Sequence, residues 1–132
     1  MGDSSTVAWP RGIGAITLFV EDLDAARTFY RDVFGLPVKF EDADSAVFDF
    51  GTTLVNLLRT SAAPELIAPA DVAAPGSGSR FQLTVGVDDV DAVCATLAER
   101  GVALLNGPMD RPWGVRTAAF VDPSGHIWEI AR

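Results

Sequence analysis

Ile16-Thr17-Leu18-Phe19-Val20-Glu21-Asp22-Leu23-Asp24-Ala25 has a second version in Phe81-Gln82-Leu83-Thr84-Val85-Gly86-Val87-Asp88-Asp89-Val90-Asp91-Ala92. In both, a strand-like apolar run ends at an aspartate that can cap a helix by accepting from the open amides of its first turn. Apolar residues then recur at helical spacing: Leu23, Ala26, Phe29, Tyr30, Val33 and Phe34 in the first copy, Val90, Val93, Cys94, Leu97 and Ala98 in the second. Gly35 and Gly101 follow, where a helix can end in the left-handed conformation that glycine adopts without steric penalty.

Working outward, three strands are predicted after each helix. In the first copy they lie near Val38 to Phe40, Ala46 to Phe50 and Thr53 to Leu58; in the second, near Val102 to Leu105, Arg116 to Val121 and His126 to Ala131. Asp49-Phe50-Gly51-Thr52 and Asp122-Pro123-Ser124-Gly125 supply turns between them. Each copy reads β-α-β-β-β. One domain over 1–132 is expected, with modules at about 13–59 and 80–132. The connection, 60–79, is rich in Ala and Pro and closes with Pro75-Gly76-Ser77-Gly78-Ser79, the composition of a linker, with a short helical turn around Glu65 to Ile67. A module of about 50 residues is too small to bury a good core alone. The copies must therefore pack together, either within one chain or by exchange between two. The expected fold is α+β: two βαβββ modules forming a curved mixed sheet around a cavity.

Composition narrows the function. Ten basic and 18 acidic side chains give a formal charge of −8, a sign that opposes a phosphate backbone. Nucleic acid is not an expected partner. Solubility accounts for the acidic balance, and a cationic ligand would also suit it. No apolar run approaches the ~20 residues needed to cross a bilayer, and Met1-Gly2-Asp3-Ser4-Ser5 has neither a basic start nor an apolar core of a secretory signal. A cytoplasmic location without membrane association is expected. The single cysteine, Cys94, has no intrachain disulfide partner.

Strand alternation divides the side chains into two faces. Ile16, Leu18, Val20, Val55, Leu57, Leu83, Val85, Val87, Trp128 and Ile130 share one face, wholly apolar and suited to the helices. At about 25 cal/mol per Å² of buried apolar surface, these side chains supply much of the folding drive. The other face carries Ala15, Thr17, Phe19, Leu54, Asn56, Leu58, Gln82, Thr84, Gly86, Ile127, Glu129 and Ala131. Either this mixed face is open sheet surface or it lines a ligand cavity. Phe19, Leu54, Leu58 and Ile127 are poor choices for open surface and favour the cavity.

Phe19-Val20-Glu21-Asp22-Leu23, Phe29-Tyr30-Arg31-Asp32-Val33-Phe34-Gly35-Leu36, Val87-Asp88-Asp89-Val90 and Asp122-Pro123-Ser124-Gly125-His126-Ile127-Trp128-Glu129 occur in order across residues 13–131. With these motifs the chain resembles the vicinal oxygen chelate superfamily. That superfamily includes glyoxalase I, extradiol dioxygenases, fosfomycin-resistance enzymes and bleomycin-resistance proteins. The resemblance implies a homodimer and a metal held by one residue early in the first strand and one in the last strand of each module. In this chain those places are Ala15, Asn56, Gln82 and Glu129. One is a methyl group and two are neutral amides, so only Glu129 suits a divalent ion, against the three protein ligands a catalytic zinc needs. His126, three residues before Glu129 on an alternating strand, would face the other way. No metal and no cofactor are expected.

Glu129 is the candidate catalytic residue. It could pair with a cationic ligand or act as a general base, or it could be a structural carboxylate bonded to Gln82 or Asn56. Tyr30 and Cys94 fit helix core positions better than a site, and Ser124 has no neighbouring base. Asp110-Arg111-Pro112-Trp113-Gly114-Val115-Arg116 precedes the seventh strand and resembles a run in bleomycin-resistance proteins, which bind their drug without a catalytic metal. Trp113 there offers a stacking surface for a planar or cationic group, or serves as a hydrophobic lid. Phe40, Phe48 and Phe50 are aromatic residues that could face it. The expected ligand-binding set is Ala15, Thr17, Phe19, Phe48, Phe50, Asn56, Gln82, Trp113 and Glu129.

Three functional expectations follow. First is a metal-independent, non-catalytic protein that binds a small molecule and sequesters an antibiotic or related aromatic or cationic compound. Second is a glyoxalase-like lyase or isomerase using Glu129 as base. Third is a metal enzyme, a lyase or dioxygenase, with a displaced site built from Glu129 and carboxylates such as Asp49 or Asp110.

Overall fold

A computed structural model describes Ala8 and residues 12–132; the reading of the first five residues lies outside them. The repeat becomes structure as the sequence dictates. β1 (Ala15–Val20) runs into α1 (Leu23–Val33), followed by β2 (Val38–Glu41), β3 (Ser45–Asp49) and β4 (Leu54–Arg59). A 3-10 turn at Thr60–Ala62 and the short helix α2 (Pro64–Ile67) open the linker. The second module repeats the order: β5 (Gln82–Gly86), α3 (Val90–Glu99), β6 (Asn106–Asp110), β7 (Arg116–Val121) and β8 (Ile127–Ala131). Each long helix has its aspartate cap: Asp22 accepts from the Ala25 amide and Asp89 from the Ala92 amide, both at 3.0 Å. Gly35 and Gly101, at φ 70° and 79°, end them in the left-handed region.

The mixed sheet is built as two open four-stranded sheets, ordered β1-β4-β3-β2 and β5-β8-β7-β6. The outer pair of each, β1 with β4 and β5 with β8, is parallel and the rest antiparallel. β1 and β5 are therefore edges.

The apolar face forms the shared core. Leu18, Val20, Val55, Leu57, Trp128 and Ile130 are buried, and Ile16, Leu83, Val85 and Val87 pack against them. α1 crosses into the second module. Tyr30 and Phe34 meet Trp128 edge-on, with ring centroids 6.0 and 4.9 Å apart, and Phe34 also meets Phe120 at 5.7 Å. Such aromatic pairs contribute about 0.5–1.5 kcal/mol beyond their buried area.

Inside this apolar junction sits one polar cluster. The Tyr30 hydroxyl donates to Asp122 Oδ2 at 2.6 Å and accepts from Trp128 Nε1 at 3.0 Å. Asp122 also accepts from His126 Nδ1 and from the Ser124 and His126 amides, each at 2.9 Å. Burial works against the Asp122 charge, but the His126 and Tyr30 bonds outweigh it and hold the carboxyl below its usual range. Burial first, and then the Asp122 charge, push the Tyr30 hydroxyl far above the usual tyrosine range.

The sixth strand departs from the sequence reading. Val102 and Leu104 pack against the core without pairing, and the strand begins at Asn106. Gly107 explains how Gly-Pro sits there: at φ 84° a β-carbon would fall 2.5 Å from the Thr117 carbonyl oxygen. Glycine alone lets β6 approach β7 that closely.

Candidate functional site

Because the apolar faces of the two sheets share one core, alternation turns the mixed faces away from it. Within one chain, Ala15, Thr17 and Asn56 stand on the outer face of the first sheet, and Gln82, Thr84 and Glu129 on that of the second. Ala15 and Gln82 are exposed, while Asn56 and Glu129 are half-buried. Strand register builds the same pair twice. Thr17 lies beside Asn56 and Thr84 beside Glu129. The Thr84 hydroxyl donates to Glu129 Oε1 at 2.9 Å, and Asn56 Nδ2 lies 3.4 Å from Thr17 Oγ1. Glu129 thus finds its partner in Thr84, rather than in Gln82 or Asn56. Asn56 Oδ1 is buried and has no hydrogen-bond partner among the described residues, an acceptor that a ligand or a water would satisfy.

The aromatic residues separate from this set. Phe48 is fully enclosed and its ring lies 5.8 Å from that of Tyr30, so it belongs to the inner face. Phe50 stacks on Trp128 at 5.2 Å and borders a crevice of about 230 Å³ between the modules. Register accounts for both: Phe48 pairs across strands with Val55, an inner-face residue, and cross-strand partners share a face. Phe40 is exposed on β2. Phe19 walls a separate cleft beneath the linker.

Trp113 stands at the turn between β6 and β7 and is 71% exposed. That turn is braced. Arg111 donates to Thr117 Oγ1 at 2.8 Å and lies 6.0 Å from the Trp113 ring centre, and Arg116 binds Asp110 and Asp91 at 3.0 and 2.9 Å. Trp113 is thus presented on a fixed support rather than over a cavity of its own chain. Burial and the Asp91 charge push the Cys94 thiol up, as expected for an unreactive helix cysteine.

A metal fits these residues poorly. The four places correspond to a methyl group, two amides and one carboxylate, and Thr84 already engages that carboxylate. Asp49 accepts from the Gly51 amide and Asp110 pairs with Arg116. Among the described residues, no three or more His, Cys, Asp and Glu come together where they could hold an ion.

Paired βαβββ modules with an apolar junction and two polar outer faces define the structural class. The Glyoxalase/Bleomycin resistance protein/Dioxygenase superfamily matches residues 12–130, and the chain belongs to it. An uncharacterised Bacillus subtilis (strain 168) protein, YraH, is 35% identical over 119 residues, covering 87% of this chain and 93% of that one. A glyoxalase/bleomycin resistance protein/dioxygenase from Nocardioides superposes with a TM-score of 0.85 over 97% of this chain and 87% of that one, at 24% identity. Lactoylglutathione lyase from Agrobacterium tumefaciens gives 0.76 over 92% and 93%, at 26% identity. No helix among the described residues is long and apolar enough to cross a membrane.

Proposed function

We propose that this chain is a cytoplasmic, metal-independent binding protein that sequesters a small aromatic or cationic compound, and that it works as a homodimer. The observation that carries the reading is the pair of outer faces. Each combines a hydrogen-bonded polar pair with half-buried apolar neighbours, Leu54 on one sheet and Ile127 on the other, and neither has the donors for a divalent ion. In the homodimer, Asn56 and Thr17 of one copy would stand opposite Glu129 and Thr84 of the other. A cavity closed in that way would have an apolar lining with a few oriented polar groups. Glu129 would receive the cationic end of the ligand and Trp113 its planar surface.

Tryptophan-fluorescence titration against bleomycin-type and other aromatic cationic drugs tests the proposal. Saturable binding is expected, unchanged by EDTA, and weakened by about tenfold or more in Trp113→Ala. Flat titrations across the panel, or affinity that disappears with EDTA, would overturn it. Sedimentation equilibrium checks the assembly, with a dimer mass expected.

The likeness to the A. tumefaciens lactoylglutathione lyase supports a second reading, a metal-free lyase or isomerase with Glu129 as base. Turnover of a hemithioacetal by chelator-treated protein, lost in Glu129→Gln, would favour it over sequestration; turnover that survives in that variant would exclude Glu129 as the base.

A further inference from the structure

A cleft of about 620 Å³ lies at the end of β1 remote from Ala15, between residues 72–81 and the turn into β8. That volume is within the range of small-molecule sites, about 300–1,000 Å³. Three rings wall it: Phe19, Phe81 and His126. Phe81 is 52% exposed, and its ring centre lies 6.3 Å from that of His126. The imidazole is held in place from behind, because its Nδ1 donates to the buried Asp122.

Arg80 borders the same cleft. The other described lysine and arginine side chains each engage a carboxylate, hydroxyl, amide oxygen or carbonyl. Arg80 has no hydrogen-bond or ion-pair partner among the described residues. In a chain of net charge −8, a guanidinium with no counterion among the described residues, beside an open cleft of mixed lining, is available to an anion. Glu21 also borders the cleft and is not paired with Arg80, so it penalises a second negative charge on any occupant.

We propose that this cleft, which shares Phe19 with the outer face of the first sheet, is a second binding site for a small aromatic monocarboxylate. The ring lies among Phe19, Phe81 and His126, and the carboxylate meets the Arg80 guanidinium, whose fork of N–H donors matches two carboxylate oxygens. The site draws on the linker and both modules, so the linker is part of the binding surface.

The chain has a single histidine, so its imidazole NMR signals report on this cleft without ambiguity. Benzoate is the probe. The His126 ring signals are expected to shift and saturate, with affinity falling about tenfold in Arg80→Gln, an exposed substitution whose fold the amide spectrum verifies. Benzamide, the same ring without the charge, should bind about tenfold more weakly than benzoate. Trp113→Ala, which disables the sequestration surface, should leave the benzoate titration unchanged. The proposal fails if benzoate leaves the His126 signals in place, if benzamide binds as well, if Arg80→Gln has no effect, or if Trp113→Ala abolishes the shifts.

Discussion

Asp49 is the last residue of β3 and Asp122 the first after β7, and each opens the turn into the strand that follows. Asp49 accepts from the Gly51 amide at 2.7 Å and Asp122 from the Ser124 amide at 2.9 Å. There the likeness stops. Asp49 is half-buried, with Lys39 3.9 Å away. Asp122 is enclosed by Tyr30, His126 and Trp128. Register explains why: Asp49 pairs with Leu54 as Val121 pairs with Ile127, so the place of Asp122 is held in the first module by Phe50, and the place of Tyr30 is held in α3 by Leu97. An aspartate one place later in the turn and a helix tyrosine that reaches it make one copy the cross-module anchor. Duplication fixed the fold twice, whereas divergence at a few positions joined the halves and differentiated them.

The most direct way to break this comparison is to remove each aspartate. Asp122→Ala strips the acceptor from a buried hydroxyl and an imidazole, and should cost about 3 kcal/mol. Asp49→Ala removes one turn hydrogen bond at a half-buried place and should cost about 1 kcal/mol. Urea unfolding midpoints measure both. Equal losses would mean that the buried cluster adds nothing to the turn.

The Tyr30 anchor gives a smaller, pH-dependent effect. Unfolded tyrosine titrates near pH 10, and the folded hydroxyl is pushed far higher by burial and by Asp122. A group whose folded value is raised contributes stability that is complete below the unfolded value and is lost as pH rises above it. Stability should therefore fall steadily above about pH 10, and this fall should be absent in Tyr30→Phe, which costs about 1–3 kcal/mol at neutral pH. Asp122 has the opposite sign. Its carboxyl is lowered, so its contribution is present above about pH 4 and lost as acid titrates the folded form. Thermal melts from pH 3 to 11 follow both limbs.

The parts of this architecture that were legible from sequence share a local cause. Caps, helix stripes and strand alternation are properties of neighbouring residues, and the two helices, their aspartate caps and the ten-residue apolar face all form as read. What was not legible depended on pairing between segments. The face of Phe48 follows from its register with Val55, which no local pattern encodes. β6 lies beyond Val102–Leu105 because Val102 and Leu104 turn into the core and pairing with β7 begins at Asn106, opposite Ala119. The partner of Glu129 was misassigned for the same reason: Gln82 lies opposite Ile127 in the register, and Thr84 opposite Glu129. His126 did separate from Glu129 as alternation required. Its bond to Asp122, however, needed the turn geometry, and the linker cleft with Arg80 needed the whole fold.

The smallest expected effect sharpens the comparison at the outer faces. Thr17 and Thr84 occupy equivalent places beside Asn56 and Glu129, but the second pair is shorter, 2.9 against 3.4 Å, and carries a charge. A hydrogen bond to a carboxylate is stronger than one between neutral groups, and exposure to solvent reduces that advantage. Thr84→Val should therefore cost about 0.5 kcal/mol more than Thr17→Val. Repeating both substitutions in a Glu129→Gln background isolates the charge. There the difference should vanish, because both threonines then face a neutral amide. A difference that persists in that background would assign it to strand packing, and would remove the hydrogen-bonded carboxylate as the feature that distinguishes the second module's face from the first.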